Sequence, residues 1–141
     1  MKKNFKNGDY LISTEKSRLD LKVVHKYLSN SYWAKGRTLK TTRLTIKNSL
    51  CFGLYYKSSQ IGYARVITDY ATFAYLADVF ILEEFRGRKL SVWLMKVILN
   101  YGELKSVKRW SLATKDAHKL YEKFGFTHLK EPDKLMELKI A

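Results

Sequence analysis

Apolar residues along this chain change rhythm several times, and each change marks a new element. Tyr10-Leu11-Ile12-Ser13-Thr14 reads as a strand. Behind Asp20, a residue suited to capping, Leu21, Val24, Tyr27 and Leu28 fall at helical spacing and predict a first helix. Residues 29–49 scatter Trp33, Leu39, Leu44 and Ile46 among Thr and Lys, which predicts a short second helix around 38–47. Residues 50–56 and 61–68 are apolar runs parted by Lys57-Ser58-Ser59-Gln60, the pattern of an antiparallel hairpin. A turn at 69–72 leads into a long strand, 73–82, holding one acid, Asp78.

The period then lengthens. Leu90, Trp93, Leu94, Val97, Ile98 and Tyr101 predict a well-buried helix over 90–101, with Gly102 as its C-terminal cap. A strand at 110–114 is followed by Asp116 as a candidate N-cap and by the stripe Ala117, Leu120, Tyr121 and Phe124, closed by Gly125. Residues 126–129 and the alternation Met136, Leu138, Ile140 predict a final pair of strands. The order β-α-α-β-β-β-α-β-α-β-β implies an α+β, or mixed α/β, fold built on a single twisted mixed sheet flanked by helices.

At 141 residues, with 46% apolar and 28% charged positions, residues 1–141 fit one domain able to bury a core. A single cysteine, Cys51, excludes an internal disulfide framework and a cysteine zinc cluster, and suits a reducing cytoplasm. In an apolar strand it reads as core; no His–acid arrangement marks it as a nucleophile. No apolar run approaches the ~20 residues of a membrane helix, and the Lys-rich start leads into Asn7-Gly8-Asp9, not a signal sequence. No membrane partner and no metal are expected. The net charge of +14 fits nucleic acid, an anionic surface or an anionic small molecule. The excess is heaviest over residues 1–40 but forms no long single-sign block, which favours a solvated basic surface. Tyr55, Tyr56, Tyr63, Tyr70 and Tyr75 among basic residues fit either a stacking surface for single strands or ordinary sheet aromatics.

One segment breaks a local rule. In Glu83-Glu84-Phe85-Arg86-Gly87-Arg88-Lys89, three cations crowd the start of the buried helix, where they oppose the macrodipole. A bound phosphate would compensate, through the unpaired first-turn N–H groups and the cations together. Surface pairing with Glu83 and Glu84 is the alternative. Arg86-Gly87-Arg88-Lys89-Leu90-Ser91, after a strand and opening a helix, resembles the Arg/Gln-x-x-Gly-x-Gly/Ala pyrophosphate loop of the GNAT superfamily of acetyl-CoA-dependent N-acetyltransferases. Lys89 stands where that family usually has its middle glycine. Downstream, Ala117-His118-Lys119-Leu120-Tyr121-Glu122-Lys123-Phe124-Gly125-Phe126 resembles the family's Ala-x-x-Leu-Tyr-x-x-x-Gly-Phe segment, with Thr114 where Asn is frequent.

The resemblance implies a wedge between the strands at 73–82 and 110–114 that takes the pantetheine arm. Main-chain groups of Val79, Phe80 and Ile81 would flank that arm, and the loop amides of Arg86, Gly87, Arg88, Lys89, Leu90 and Ser91 would hold the pyrophosphate. Thr114 and Ala117 would complete the cofactor side. It further implies acetyl transfer to a small-molecule or peptide amine by direct attack, with Tyr121 protonating the departing thiolate. Tyr32 and Trp33 would line the acceptor side. Asp78, in an apolar run where burial raises a carboxyl pKa, is a candidate base or substrate anchor, or else an Asp at a bulge bonded to a main-chain N–H, and His118 is a second candidate base. A GNAT-like fold that has lost its chemistry and binds nucleic acid or another acidic partner is the competing reading. A monomer and a homodimer are both compatible with the sequence.

Overall fold

Short polar reversals set up most of the sheet. In the computed structural model, which describes residues 2–140, strand β1 (Asn4–Asn7) turns at Gly8, φ +60°, into β2 (Tyr10–Ser13). β1 holds one apolar residue, Phe5, too little for periodicity to announce it; it pairs β2 as a sheet edge. Next come helices α1 (Leu21–Ser29) and α2 (Leu39–Lys47), then the meander β3 (Leu50–Tyr56), β4 (Ser59–Thr68) and β5 (Phe73–Ile81). Helix α3 (Leu90–Leu99), strand β6 (Arg109–Leu112) and helix α4 (His118–Glu122) complete the order. The six strands lie in sequence order, antiparallel except for the parallel pair β5–β6 that the α3 crossover joins.

Both faces of the sheet are covered, which is why β3 and β4 are nearly continuous apolar runs. On one face Phe52, Leu54, Val66 and Leu76 pack against Leu90, Leu94, Met95 and Ile98 of α3. On the other, Cys51, Tyr63 and Phe80 meet Val24 and Leu28 of α1 and Ala34 beyond it. Tyr55 and Tyr63 are buried, so the tyrosines do not form one stacking surface. Cys51 is a buried free thiol that accepts a hydrogen bond from Tyr63 Oη at 3.2 Å, and burial pushes its pKa up; it is core.

Four expectations need correction. Gly102 does not cap α3: Asn100 takes that position, and Gly102 opens a short 3-10 turn, Gly102–Leu104. Asp116 does not cap α4: Ala117 is the N-cap residue, and Thr114 Oγ1 accepts the Ala117 N–H at 3.0 Å instead. The strand expected at 126–129 and the strand carrying Met136, Leu138 and Ile140 are both irregular, and those three side chains are 98%, 85% and 85% exposed. Alternation alone does not hold a strand without a partner ladder.

The Asp20 cap is present: Oδ1 accepts from the N–H groups of Lys22 and Val23 at 3.1 and 3.3 Å. Asp20→Ala should therefore cost about 1 kcal/mol, the usual loss for an N-cap. Urea unfolding should show a lower midpoint at unchanged slope; an unmoved midpoint would mean that packing alone fixes α1.

Candidate active site

The site begins where two strands separate. β6 accompanies β5 only over Phe73–Leu76, and β5 continues through residues 77–81 with no strand on its outer side. On its inner side Arg65 faces Ala77 and Tyr63 faces Phe80, so Asp78 and Val79 stand against Ala64 alone. This is a β-bulge, and Asp78 occupies it at φ +54°, a left-handed conformation that Asp tolerates better than most residues. The wedge opens where β6 ends, with Leu112 beside Leu76, and the bulge in β5 lies just beyond that point.

Asp78 is 5% exposed. Its Oδ1 accepts from Trp33 Nε1 at 2.8 Å; its Oδ2 accepts from Arg37 Nη1 at 2.8 Å and from Arg65 Nε at 2.9 Å. Arg65 also donates to Ser49 Oγ at 3.1 Å. Burial pushes the Asp78 carboxyl up, but the hydrogen bond from Arg37, the Arg65 charge and the Trp33 indole together hold it below the usual range. The expected rise in pKa is not found: both oxygens accept hydrogen bonds, and the cations beside the carboxylate favour its charged form. Removing the carboxylate would leave two guanidinium groups facing each other, a loss of about 3–5 kcal/mol.

An open cleft of about 980 Å³ lies along the free edge of β5. It brings together Val79, Phe80, Ile81, Arg86, Ser91, Ala117 and Tyr121 of the expected site, and Tyr27, Tyr32 and Trp33 form its roof. Phe80 contributes main chain only, because its ring is buried and stacks on Tyr27 at 4.1 Å. Tyr121 is 8% exposed, and burial, then proximity to Tyr32, pushes its pKa up to about 12.

At the far end of β5 the chain makes a short 3-10 turn, Glu83–Phe85, and enters α3. No side chain caps α3, so its first-turn amides are left for another acceptor. Gly87 and Lys89 adopt φ +80° and +61°. The left-handed conformation at Lys89 explains why a glycine suits that position. Arg86 Nε donates to Ile81 O at 3.0 Å and its Nη2 to Tyr27 Oη at 2.7 Å, tying the loop to β5 and to the roof. Arg88 Nη1 donates to Tyr10 Oη at 3.0 Å and its guanidinium lies over Phe85. Glu83 and Glu84 form no ion pair with these cations among the described residues. Leu90 is buried, so only its main chain is available to a ligand.

His118 shares a cleft with Tyr121, as its place on α4 implies, but not the cleft along β5. It is exposed and lines a second cleft beside β6, where its ring lies 6.0 Å from that of His128; Tyr121 borders both clefts. Thr114 also lies on that side and serves the turn into α4. The residues that sequence reasoning missed are Arg37, Arg65 and Tyr27. A lone Arg in the buried run 61–68 and a lone Asp in the next strand are mutual partners by charge alone, and that signal was available. Among the described residues no group of three His, Cys, Asp or Glu is poised for a metal, and no helix is long and apolar enough to cross a membrane.

Replacing Lys89 by Gly should relieve the left-handed backbone and raise stability by about 0.5–1 kcal/mol. Lys89→Ala, which keeps the unfavourable φ, should give no such gain. Urea unfolding of both variants distinguishes backbone strain from simple charge removal, since equal gains in the two would point to charge.

Comparison with known proteins agrees with this geometry. The Acetyltransferase (GNAT) family profile matches residues 21–126. The protein named "Putative acetyltransferase FG08082" of Gibberella zeae is 30% identical over 160 residues, covering 98% of this chain and 90% of that protein. A crystal structure from Xanthomonas campestris pv. campestris, described as a "putative acetyltransferase belonging to the gnat family", superposes with a TM-score of 0.90 at 45% identity, covering 93% of each chain. The Staphylococcus aureus protein SA2161, described as a "probable acetyltransferase", gives 0.72 at 26% identity over 94% of this chain and 98% of its own. The wedge, the uncapped helix behind it and these matches lead to one conclusion: the chain belongs to the GNAT acetyltransferase family.

Proposed function

We propose that residues 1–141 form one acetyltransferase domain that moves an acetyl group from acetyl-CoA to a primary amine of a small-molecule or peptide acceptor by direct attack. The observation that carries this reading is the alignment, in one cleft, of the unpaired edge of β5, the uncapped start of α3 and the Tyr121 hydroxyl. A diphosphate fits the loop and first-turn amides from Gly87 to Ser91, where the helix dipole and Lys89 add positive potential, whereas the Arg86 N–H is already bonded to Glu83 O at 3.1 Å. The polar, amide-bearing pantetheine arm fits the open backbone of Val79, Phe80 and Ile81 as an added strand would. Acetyl-CoA, when bound, supplies the activated thioester.

The chain's own groups then have distinct tasks. A main-chain N–H in 79–81 is fixed by the bulge and can stabilise the oxyanion that develops as the amine attacks. Tyr121 faces the sulfur end. Its pKa of about 12 exceeds that of an ordinary thiol near 8.5, so full proton transfer before bond cleavage is uphill by roughly 5 kcal/mol. The phenol therefore acts as a hydrogen-bond donor that stabilises negative charge building on sulfur and keeps its own proton, and the released thiolate is protonated from solvent. With Asp78 engaged and His118 in the other cleft, the attacking amine loses its proton to solvent at the open mouth. We place this chemistry in the cytoplasm, where Cys51 stays a buried thiol.

Release of free thiol from acetyl-CoA in the presence of primary amines tests the reading. Tyr121→Phe should lower turnover by about 10- to 100-fold, at or below the bottom of the range for general acids, as suits a hydrogen-bond donor, with acetyl-CoA affinity within twofold of the unmodified protein. Equal turnover would return Tyr121 to a packing role. Because its folded-state pKa is raised, the neutral phenol is favoured, and that stabilisation is complete below about pH 10 and lost as pH climbs toward 12. No fall in rate from Tyr121 ionisation should appear below pH 10.

A further inference from the structure

The Asp78 cluster has no task in the reaction just described, yet it touches one wall of the cleft. Residues 31–36 form an irregular turn between α1 and α2, held internally by Ser31 Oγ, which accepts from Ala34 N–H at 3.1 Å. Its side chains reach across to both lips of the wedge. On the β5 side, Trp33 and the following Arg37 donate to Asp78. On the β6 side, Tyr32 Oη accepts the Lys115 N–H at 3.1 Å. The Trp33 and Tyr32 rings, 5.1 Å apart and partly exposed, are thereby stretched over the cleft.

Direction along β5 says which part of the cleft they cover. The phosphate-binding loop follows Ile81, and Asp78 lies toward the opposite end of the unpaired segment. A ligand whose diphosphate sits at the loop must carry its reactive end toward Val79 and Asp78. The rings tethered to Asp78 therefore stand where the second substrate has to arrive.

Resting on the acetyltransferase reading, we propose that Asp78 is a positioning residue for the acceptor: through Trp33 Nε1 and Arg37 it clamps the 31–36 turn in the place that makes it the acceptor wall. Arg65 fixes the carboxylate from the sheet side, so the clamp has one rigid jaw, the bulged strand, and one adjustable jaw, the turn. The same residue that occupies the bulge beside the wedge with a left-handed backbone closes the acceptor end by its side chain. A carboxylate serves this better than an amide, because each of its oxygens accepts and the Oδ2 oxygen takes a cationic donor from either side.

Two variants test the clamp without emptying the buried site. Trp33→Phe keeps a ring and deletes only the N–H donor. Arg37→Met removes the partly exposed cation and leaves the Asp78–Arg65 pair. With butylamine and phenethylamine as acceptors, each variant should raise the acceptor KM about 5- to 20-fold, with acetyl-CoA KM within twofold and kcat within threefold. In free Arg37→Met the Trp33 indole N–H, identified in ¹⁵N spectra by its loss in Trp33→Phe, should exchange with solvent faster than in the unmodified protein. Unchanged acceptor KM in both variants, with only a lower melting temperature, would make the cluster merely structural and overturn the clamp. An equal loss of acetyl-CoA affinity would assign it to the wedge and overturn it likewise. Absence of acetyl-CoA binding by calorimetry, or of turnover with both amines in the unmodified protein, would instead overturn the reading beneath it.

Discussion

Everything at this site depends on β5 and β6 parting after Leu76. Up to that point the two strands share a parallel ladder; beyond it β5 keeps only its inner partner and presents a bare backbone edge to the cleft. A bare edge is ordinarily a liability, open to pairing with any extended chain. Here it is short, roofed by Tyr27 and Trp33, and continuous with a helix N-terminus, so it suits an extended ligand ending in a diphosphate. The bulge just beyond the parting would relax without its anchors. A buried carboxylate gripped by two arginines and an indole supplies them, at the cost of desolvating three charged groups.

The same economy appears in the loop. Arg86, Arg88 and Lys89 stand where a free-standing helix would favour acids, and only Lys89 breaks the backbone rule as well. Arg86 and Arg88 are used largely as ties, to Ile81 O and Tyr27 Oη and to Tyr10 Oη, so the loop reaches its shape through its own side chains. Lys89 has no such tie among the described residues. Local conflict of this sort is expected at functional sites and rare elsewhere.

Much of this could be read from the sequence, and the limits have physical causes. The Asp20 cap, the α3 stripe and the β3–β4–β5 meander are local patterns, and each element formed where its period placed it. The loop and the Ala117–Phe126 segment, read by their resemblance to the family's motifs, contribute Arg86, Ser91, Ala117 and Tyr121 to one cleft. The errors lie where a residue's state depends on distant partners. Asp78 looked like an isolated acid in an apolar strand, which implies a raised pKa; Arg37 lies 41 residues away and Arg65 13, and together they reverse the sign. His118 and Tyr121 both border the cleft beside β6, as a three-residue spacing on a helix implies, but only Tyr121 also reaches the cleft along β5, and that is settled by how α4 packs and not by its own spacing. Met136, Leu138 and Ile140 alternate as a strand does, yet strand formation is settled by a partner ladder that no local pattern supplies.

The central claim is that an acyl-CoA thioester lies along residues 79–81 with its diphosphate on the start of α3. Amide hydrogen exchange with and without acetyl-CoA tests it directly, because it reports where the ligand covers backbone. Slowed exchange confined to peptides spanning 79–81 and 86–91, with β1, β2 and residues 135–140 unaffected, is the expected result. Protection absent from those peptides, or appearing instead in the cleft beside β6, would contradict it.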